Sequence, residues 1–245
     1  MIVFCITLMK EARKRIQECI DAKTTKLVLN QLKLFKLPDN LPNTLTHLHC
    51  SYNHLTELPS KLPDSLVVLN CCNNQISKLP DVFPSSLEVL SCANNQIEQL
   101  PDHLPESLKF LNCHTNNISK LPTKLPDSLE ELYCSKNNIM HLSDHLPKRL
   151  RTLTCSHNPI EEFPNLPDSL TTLWFIETAI SKFPVKLLKN DCEILCFDSD
   201  AVFFNSAIEV VKKYRWKKRF IQWIVCMRMR QFVDPDCSKI VASYV

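Results

Sequence analysis

The chain has 245 residues, of which 44% are apolar and 22% charged, with a formal charge of +3, 16 prolines, 13 cysteines and no glycine. That balance belongs to a folded chain rather than a disordered one. The lack of glycine excludes the Walker A loop, the dinucleotide fingerprint, the kinase glycine-rich loop and the G-x-S-x-G elbow, each of which needs a backbone position that a Cβ would block.

The apolar start, Met1 to Met9, is followed rather than preceded by Lys10, Arg13, Lys14 and Arg15, the reverse of a secretory signal. No stretch approaches the length of a membrane span; Phe220 to Met227 ends at Arg228. These features predict an intracellular chain in a reducing compartment, neither secreted nor transmembrane. From about Leu8 to Ala22, apolar Leu8, Ala12, Ile16, Cys19 and Ile20 recur at helical spacing amid charge. The pattern predicts an amphipathic helix within residues 1–23 that caps the first strand edge.

Residues 24–204 are organised by repetition. Cys50, Cys71, Cys92, Cys113, Cys134 and Cys155 recur every 21 residues and define six blocks starting at Leu45, Leu66, Leu87, Leu108, Leu129 and Leu150. Each reads L-x-x-L-x-C-x-x-N-x-(L/I), followed by a proline-containing second half, and the block at Leu150 is one residue short. A seventh block at Leu170 has Phe175 for cysteine and Thr178 for asparagine; an eighth is faint through Ile194, Cys196 and Phe204. Upstream, Leu27, Leu29, Leu34, Leu37 and Leu41 keep the register, with Leu32 in the asparagine position. Degenerate terminal blocks are expected of capping repeats.

This pattern resembles the leucine-rich repeat, and its L-P-x-x-L-P-x-S half resembles the short, proline-containing subclass of bacterial effectors and of large DNA virus proteins. Zero glycine beside 21 lysines and 18 asparagines is what an AT-rich genome encodes, in keeping with the viral branch of that resemblance. The resemblance implies a leucine-rich repeat solenoid of the α/β horseshoe class, with a parallel β-sheet on the concave face.

The residues support the same architecture directly. A short strand with one apolar face cannot bury that face alone, so blocks must stack. Leu48, Leu69, Leu90, Leu111, Leu132 and Leu153 then form one inner row and the cysteines the next. Asn53, Asn74, Asn95, Asn116, Asn137 and Asn158 follow the strand where the chain turns inward, and their amides can satisfy stranded backbone groups. Two prolines per block forbid a helix and favour an extended, polyproline-like convex return.

Regular cysteines invite a metal reading, but a straight row does not make a tetrahedron and no C-x-x-C occurs. The ladder is read as core, with Cys72 as the outward thiol. His47 and His49 share a strand face, without a third metal ligand of matching geometry. No cofactor or catalytic group is expected.

In such a solenoid the third, fifth and eighth positions of each block face the concave side. There the apolar row Val68, Val89 and Phe110, with the large aromatics Tyr133 and Trp174, stands out against polar neighbours. Anchors with a polar rim suit a protein partner. The alternative is that strand propensity alone selected them.

Residues 205–245 are read as a basic helical segment. Nine basic and three acidic residues give 201–245 a charge of +6, against −3 for the remainder. Lys212, Lys213, Arg215, Lys217, Lys218 and Arg219, interleaved with aromatic residues, could bind anionic lipid or nucleic acid, or simply be a solvated cap. Ile221-Gln222 starts an IQ-like motif, but Cys226 and Gln231 occupy its basic positions. Some bacterial effectors resembling this repeat carry a ubiquitin ligase domain; the roughly 41 residues after Phe204 are too few for one. The sequence therefore predicts a monomeric, non-enzymatic scaffold binding a protein through its concave sheet, with a membrane or nucleic-acid tether as the competing function.

Overall fold

The computed structural model describes residues 2–38, 40–180 and 192–195, with side chains described from Met9 onward and not for Leu195. Among the described residues helix α1 (Ile2–Asp21) precedes nine three-residue strands: β1 (Lys26–Val28), β2 (His47–His49), β3 (Val68–Asn70), β4 (Val89–Ser91), β5 (Phe110–Asn112), β6 (Glu131–Tyr133), β7 (Thr152–Thr154), β8 (Thr172–Trp174) and β9 (Glu193–Leu195). They pair in parallel, in chain order, as one sheet. The expected amino-terminal helix is α1, no second helix occurs among the described residues, and the segment 205–245 expected to be helical lies outside them.

Register follows from the central leucine. Leu48, Leu69, Leu90, Leu111, Leu132, Leu153 and Leu173 lie opposite one another across successive strands, all fully buried. A one-residue slip would turn this row to water, and each buried leucine contributes about 1.5–3 kcal/mol, so the register is strongly specified. The six ladder cysteines are likewise fully buried, with none of the described cysteines disulfide-bonded. Between β7 and β8 the pairing is Thr152 with Thr172, so the short block is absorbed outside the strands.

The asparagines stitch block to block. Asn116 Nδ2 donates to the carbonyls of Cys113 and His114 in its own block and Cys92 in the block before, while its Oδ1 accepts from the Ile97 N–H. Asn53, Asn74, Asn95, Asn137 and Asn158 repeat this arrangement. Thr178, which replaces asparagine in the seventh block, donates to Phe175 O. A second ladder is made by serines. Ser65, Ser86, Ser107, Ser128 and Ser169 donate their hydroxyls to the carbonyls of Leu45, Leu66, Leu87, Leu108 and Leu150. Arg149 occupies this position in one block and offers no such hydroxyl.

A feature not read from the sequence recurs at the eighth position. Gln31, Tyr52, Asn73, Asn94, Thr115, Lys136, His157 and Glu177 all have φ between 51° and 60°, in the left-handed region that a glycine-free chain must fill with other residues. The left-handed residue aims its N–H at the next block, as in Thr115 N to Ser135 O at 2.8 Å. Neighbouring blocks thus stabilise a conformation each would resist alone.

The helix covers the β1 edge through Ala12, Ile16 and Cys19, all buried. Arg15 Nη1 donates to Val28 O at 3.1 Å, and α1 ends with Lys23 at φ 51°, where Thr24 N reaches Cys19 O and Lys23 N reaches Ile20 O. Ile20, expected on the packed face, is instead 44% exposed. At about 100° per residue it lies on the margin of the Ala12–Ile16–Cys19 stripe rather than within it.

Candidate functional site

In β1 to β8 the side chains flanking the central buried leucine lie on the concave face of the sheet. Val68, Val89 and Phe110 are register neighbours in one column; Asn70, Ser91, Asn112 and Tyr133 form the next. All are half-buried, as expected for side chains standing shoulder to shoulder on a short-strand sheet. Across β3, β4 and β5 the third, fifth and eighth positions carry no charge: Val68, Asn70, Asn73, Val89, Ser91, Asn94, Phe110, Asn112 and Thr115. A partner meeting this part of the face would bury apolar area without desolvating an ion.

Two of the expected anchors do more than face water. The Phe110 and Tyr133 rings lie 5.3 Å apart and tilted by 40°, and Tyr133 Oη donates to Glu131 Oε2 at 2.7 Å. Burial, then the hydrogen bond and charge of Glu131, push the Tyr133 phenol up to about 12. Tyr133 is thus tied into the scaffold as well as placed on the concave face; residues two apart on one strand share a face, and this pair is readable from the sequence. Trp174, on β8, is 36% exposed.

The polar groups are partly committed to the scaffold. Asn70 Oδ1 accepts from the Ser51 hydroxyl at 2.6 Å and from Cys72 N at 3.2 Å; Asn112 Oδ1 accepts from His114 N at 3.3 Å. Near the carboxyl end His157 Nδ1 lies 2.9 Å from Glu177 Oε2. Tyr52 is 58% exposed at the edge of the face, and Phe35, equally exposed, packs its ring 5.3 Å from that of His54.

For chemistry the arrangement offers little. Burial pushes the Cys50 and Cys113 thiols up to about 12, and the other ladder thiols also upward, which keeps them protonated and inert. Cys72 is half-buried with Sγ 3.0 Å from Ser91 Oγ. No group of three or more potential metal-ligating side chains occurs among the described residues, and His47 and His49 remain a pair. Among the described residues no helix is long and apolar enough to cross a membrane. Lys212, Lys213, Arg215, Lys217, Lys218 and Arg219 lie outside the described residues, as do Cys196 and Phe204.

No protein-family model matches the sequence. Among curated proteins it is similar to the E3 ubiquitin-protein ligase ipaH9.8 of Shigella boydii and Shigella flexneri, 48% identical over 46 residues. That match covers 19% of this chain and 8% of the ligase, so the chain spans under a tenth of the length of these relatives. Among solved structures, a Shigella effector LRR domain is 33% identical with a TM-score of 0.67, over 78% of this chain and 90% of that one. YopM, a leucine-rich effector protein from Yersinia pestis, is 32% identical with a TM-score of 0.61, over 77% of this chain and 60% of that one. The functional domain of InlJ from Listeria monocytogenes, described as including a cysteine ladder, is 31% identical with a TM-score of 0.61, over 71% of this chain and 40% of that one.

Proposed function

We propose, from the premise that this chain belongs to the leucine-rich repeat family, that it is a non-enzymatic scaffold which captures a protein partner on its concave sheet. The observation that carries this reading is the uncharged band across β3, β4 and β5. An apolar column, Val68, Val89 and Phe110, runs there beside a column of amides and hydroxyl. Apolar side chains supply area, and the amides fix orientation through hydrogen bonds. Tyr133 and Trp174 extend the aromatic content toward β8. The similarity to bacterial effector repeat domains supports partner binding as the general role. The ligase activity in one relative's name belongs to a protein of which this chain matches a small part, and it is not carried over.

The proposal is tested by replacing Phe110, Tyr133 and Trp174 together by alanine in the full chain. Capture of co-purifying proteins from the native cell should be lost while the circular dichroism spectrum is kept. Unchanged capture by the folded triple variant would refute the concave-face assignment.

A further inference from the structure

Three basic groups stand together at the amino-terminal end of the concave face. Lys26 and His47 are register neighbours on β1 and β2, and His49 lies two residues along β2 on the same face. None of the three has an acidic partner among the described residues. The Thr46 hydroxyl lies 2.9 Å from His47 Nδ1, so Nε2 is that ring's open nitrogen. His49 is half-buried and makes no hydrogen bond to protein through either ring nitrogen among the described residues.

The surroundings reinforce this excess of positive charge. On α1, Arg15 is held by Glu11 at 2.9 Å and by Val28 O, and Lys14 pairs with Glu18 at 3.7 Å. The neighbouring strand β3 contributes Val68 and Asn70, both uncharged, and the turn after β2 contributes Tyr52 and His54. Burial, then Lys26 and His47, hold His49 below the usual histidine range, so it protonates readily only when an anion arrives. The first carboxylate along the concave columns is Glu131 on β6, roughly 24 Å from β1 at about 4.8 Å per strand, and Tyr133 already occupies it. One continuous column therefore passes from basic Lys26 and the imidazole of His47 to apolar Val68, Val89 and Phe110.

We infer that Lys26, His47 and His49 form a carboxylate-binding station for an acidic stretch of an extended protein segment, whose adjoining uncharged residues cross β3, β4 and β5. Charge complementarity selects this occupant: three unpaired basic groups at one end and an ion-free apolar column beyond them. The inference rests on the concave-face reading and adds the partner's polarity and direction to it. Protonation of His49 as a carboxylate arrives strengthens the station, so capture tightens as pH falls.

The test uses the full chain and a fluorescent peptide of three glutamates followed by an uncharged leucine and valine tract, with a counterpart in which lysine replaces glutamate. The acidic peptide should bind on the order of tenfold more tightly at pH 5.5 than at pH 8, and the lysine peptide should not bind. The double variant His47→Gln, His49→Gln should keep its fold and lose the pH dependence; Lys26→Ala should weaken binding at both pH values. A pH dependence that survives in the double variant, equal binding of the two peptides, or an oligonucleotide that displaces the acidic peptide from this face would each overturn the station. If the Phe110, Tyr133 and Trp174 variant loses partner capture while the peptide shows no histidine-dependent binding, the station falls and the concave-face reading stands.

Discussion

Asn116 and Cys92 belong to different blocks, yet the Asn116 amide donates to the Cys92 carbonyl at 3.1 Å while binding two carbonyls of its own block. A single side chain thereby closes a turn and fastens it to the preceding turn. Replacing it by alanine removes the donor and leaves buried carbonyls and the Ile97 N–H without their partner. Asn116→Ala should lower unfolding stability by about 1–3 kcal/mol, read as a drop in the urea midpoint. Thr178, with one hydroxyl, makes one such bond, to Phe175 O, so Thr178→Ala should cost less.

The eighth position offers a gain rather than a loss. Thr115 is β-branched and sits at φ 53°, whereas its counterparts Asn73 and Asn94 hold φ 56° and 54° with a residue type that tolerates this region. Thr115→Asn should raise stability by about 1 kcal/mol, despite the loss of the 2.9 Å contact between the Thr115 hydroxyl and His114 Nδ1. A higher urea midpoint with an unchanged slope is the expected result. The opposite substitution, Asn94→Val, should lower the midpoint.

The cysteine ladder predicts a sharp division in reactivity. Cys50, Cys71, Cys92, Cys113, Cys134 and Cys155 are fully buried with pKa values raised by desolvation, whereas Cys72 is partly accessible. Brief alkylation of the native protein followed by peptide mass spectrometry should find Cys72 modified and the ladder untouched. Denaturant should expose all six at once, because a solenoid core this continuous opens block by block only when neighbours also open.

The period of 21 residues made the sheet legible, because a buried leucine and cysteine recurring in step can only be satisfied by stacking. The asparagine ladder was legible for the same reason: a residue with both donor and acceptor follows every strand. The left-handed eighth position was not, since Tyr52, Asn73, Thr115, Lys136 and Glu177 share no residue type and the usual marker, glycine, is missing. Adding 21 to Lys26 gives His47, so the basic pair was present in the period. It is masked in the pattern because the first block has Leu29 and Leu32 where the others carry the aligning cysteine and asparagine. Ile20 fits a loose helical pattern and misses the packed stripe by a fraction of a turn.

Arg149 interrupts the serine ladder and gives a prediction of small but definite sign. In neighbouring blocks Ser128 and Ser169 donate to Leu108 O and Leu150 O at 2.7 Å. Arg149→Ser should supply the same bond to Leu129 O and raise stability by about 0.5–1.5 kcal/mol, the net worth of a protein hydrogen bond. Ser128→Ala, its mirror experiment, should lower the midpoint by a similar amount.

Tyr133 links the scaffold to the candidate surface through its titration. Its phenol is raised to about 12, first by burial and then by donation to Glu131, so the neutral form is favoured in the folded chain. A group raised on folding stabilises the fold fully below its unfolded value, near 10, and loses that contribution as pH climbs toward the folded value. Wild-type stability should therefore fall between about pH 10 and 12 relative to Tyr133→Phe, which keeps the ring against Phe110 and has no proton to lose. The phenolate absorption difference between the two proteins should show one late transition, and Glu131→Gln should bring that transition to lower pH. If the transition stayed in place in Glu131→Gln, burial alone would account for it, and the Glu131 carboxylate would be free to meet a partner.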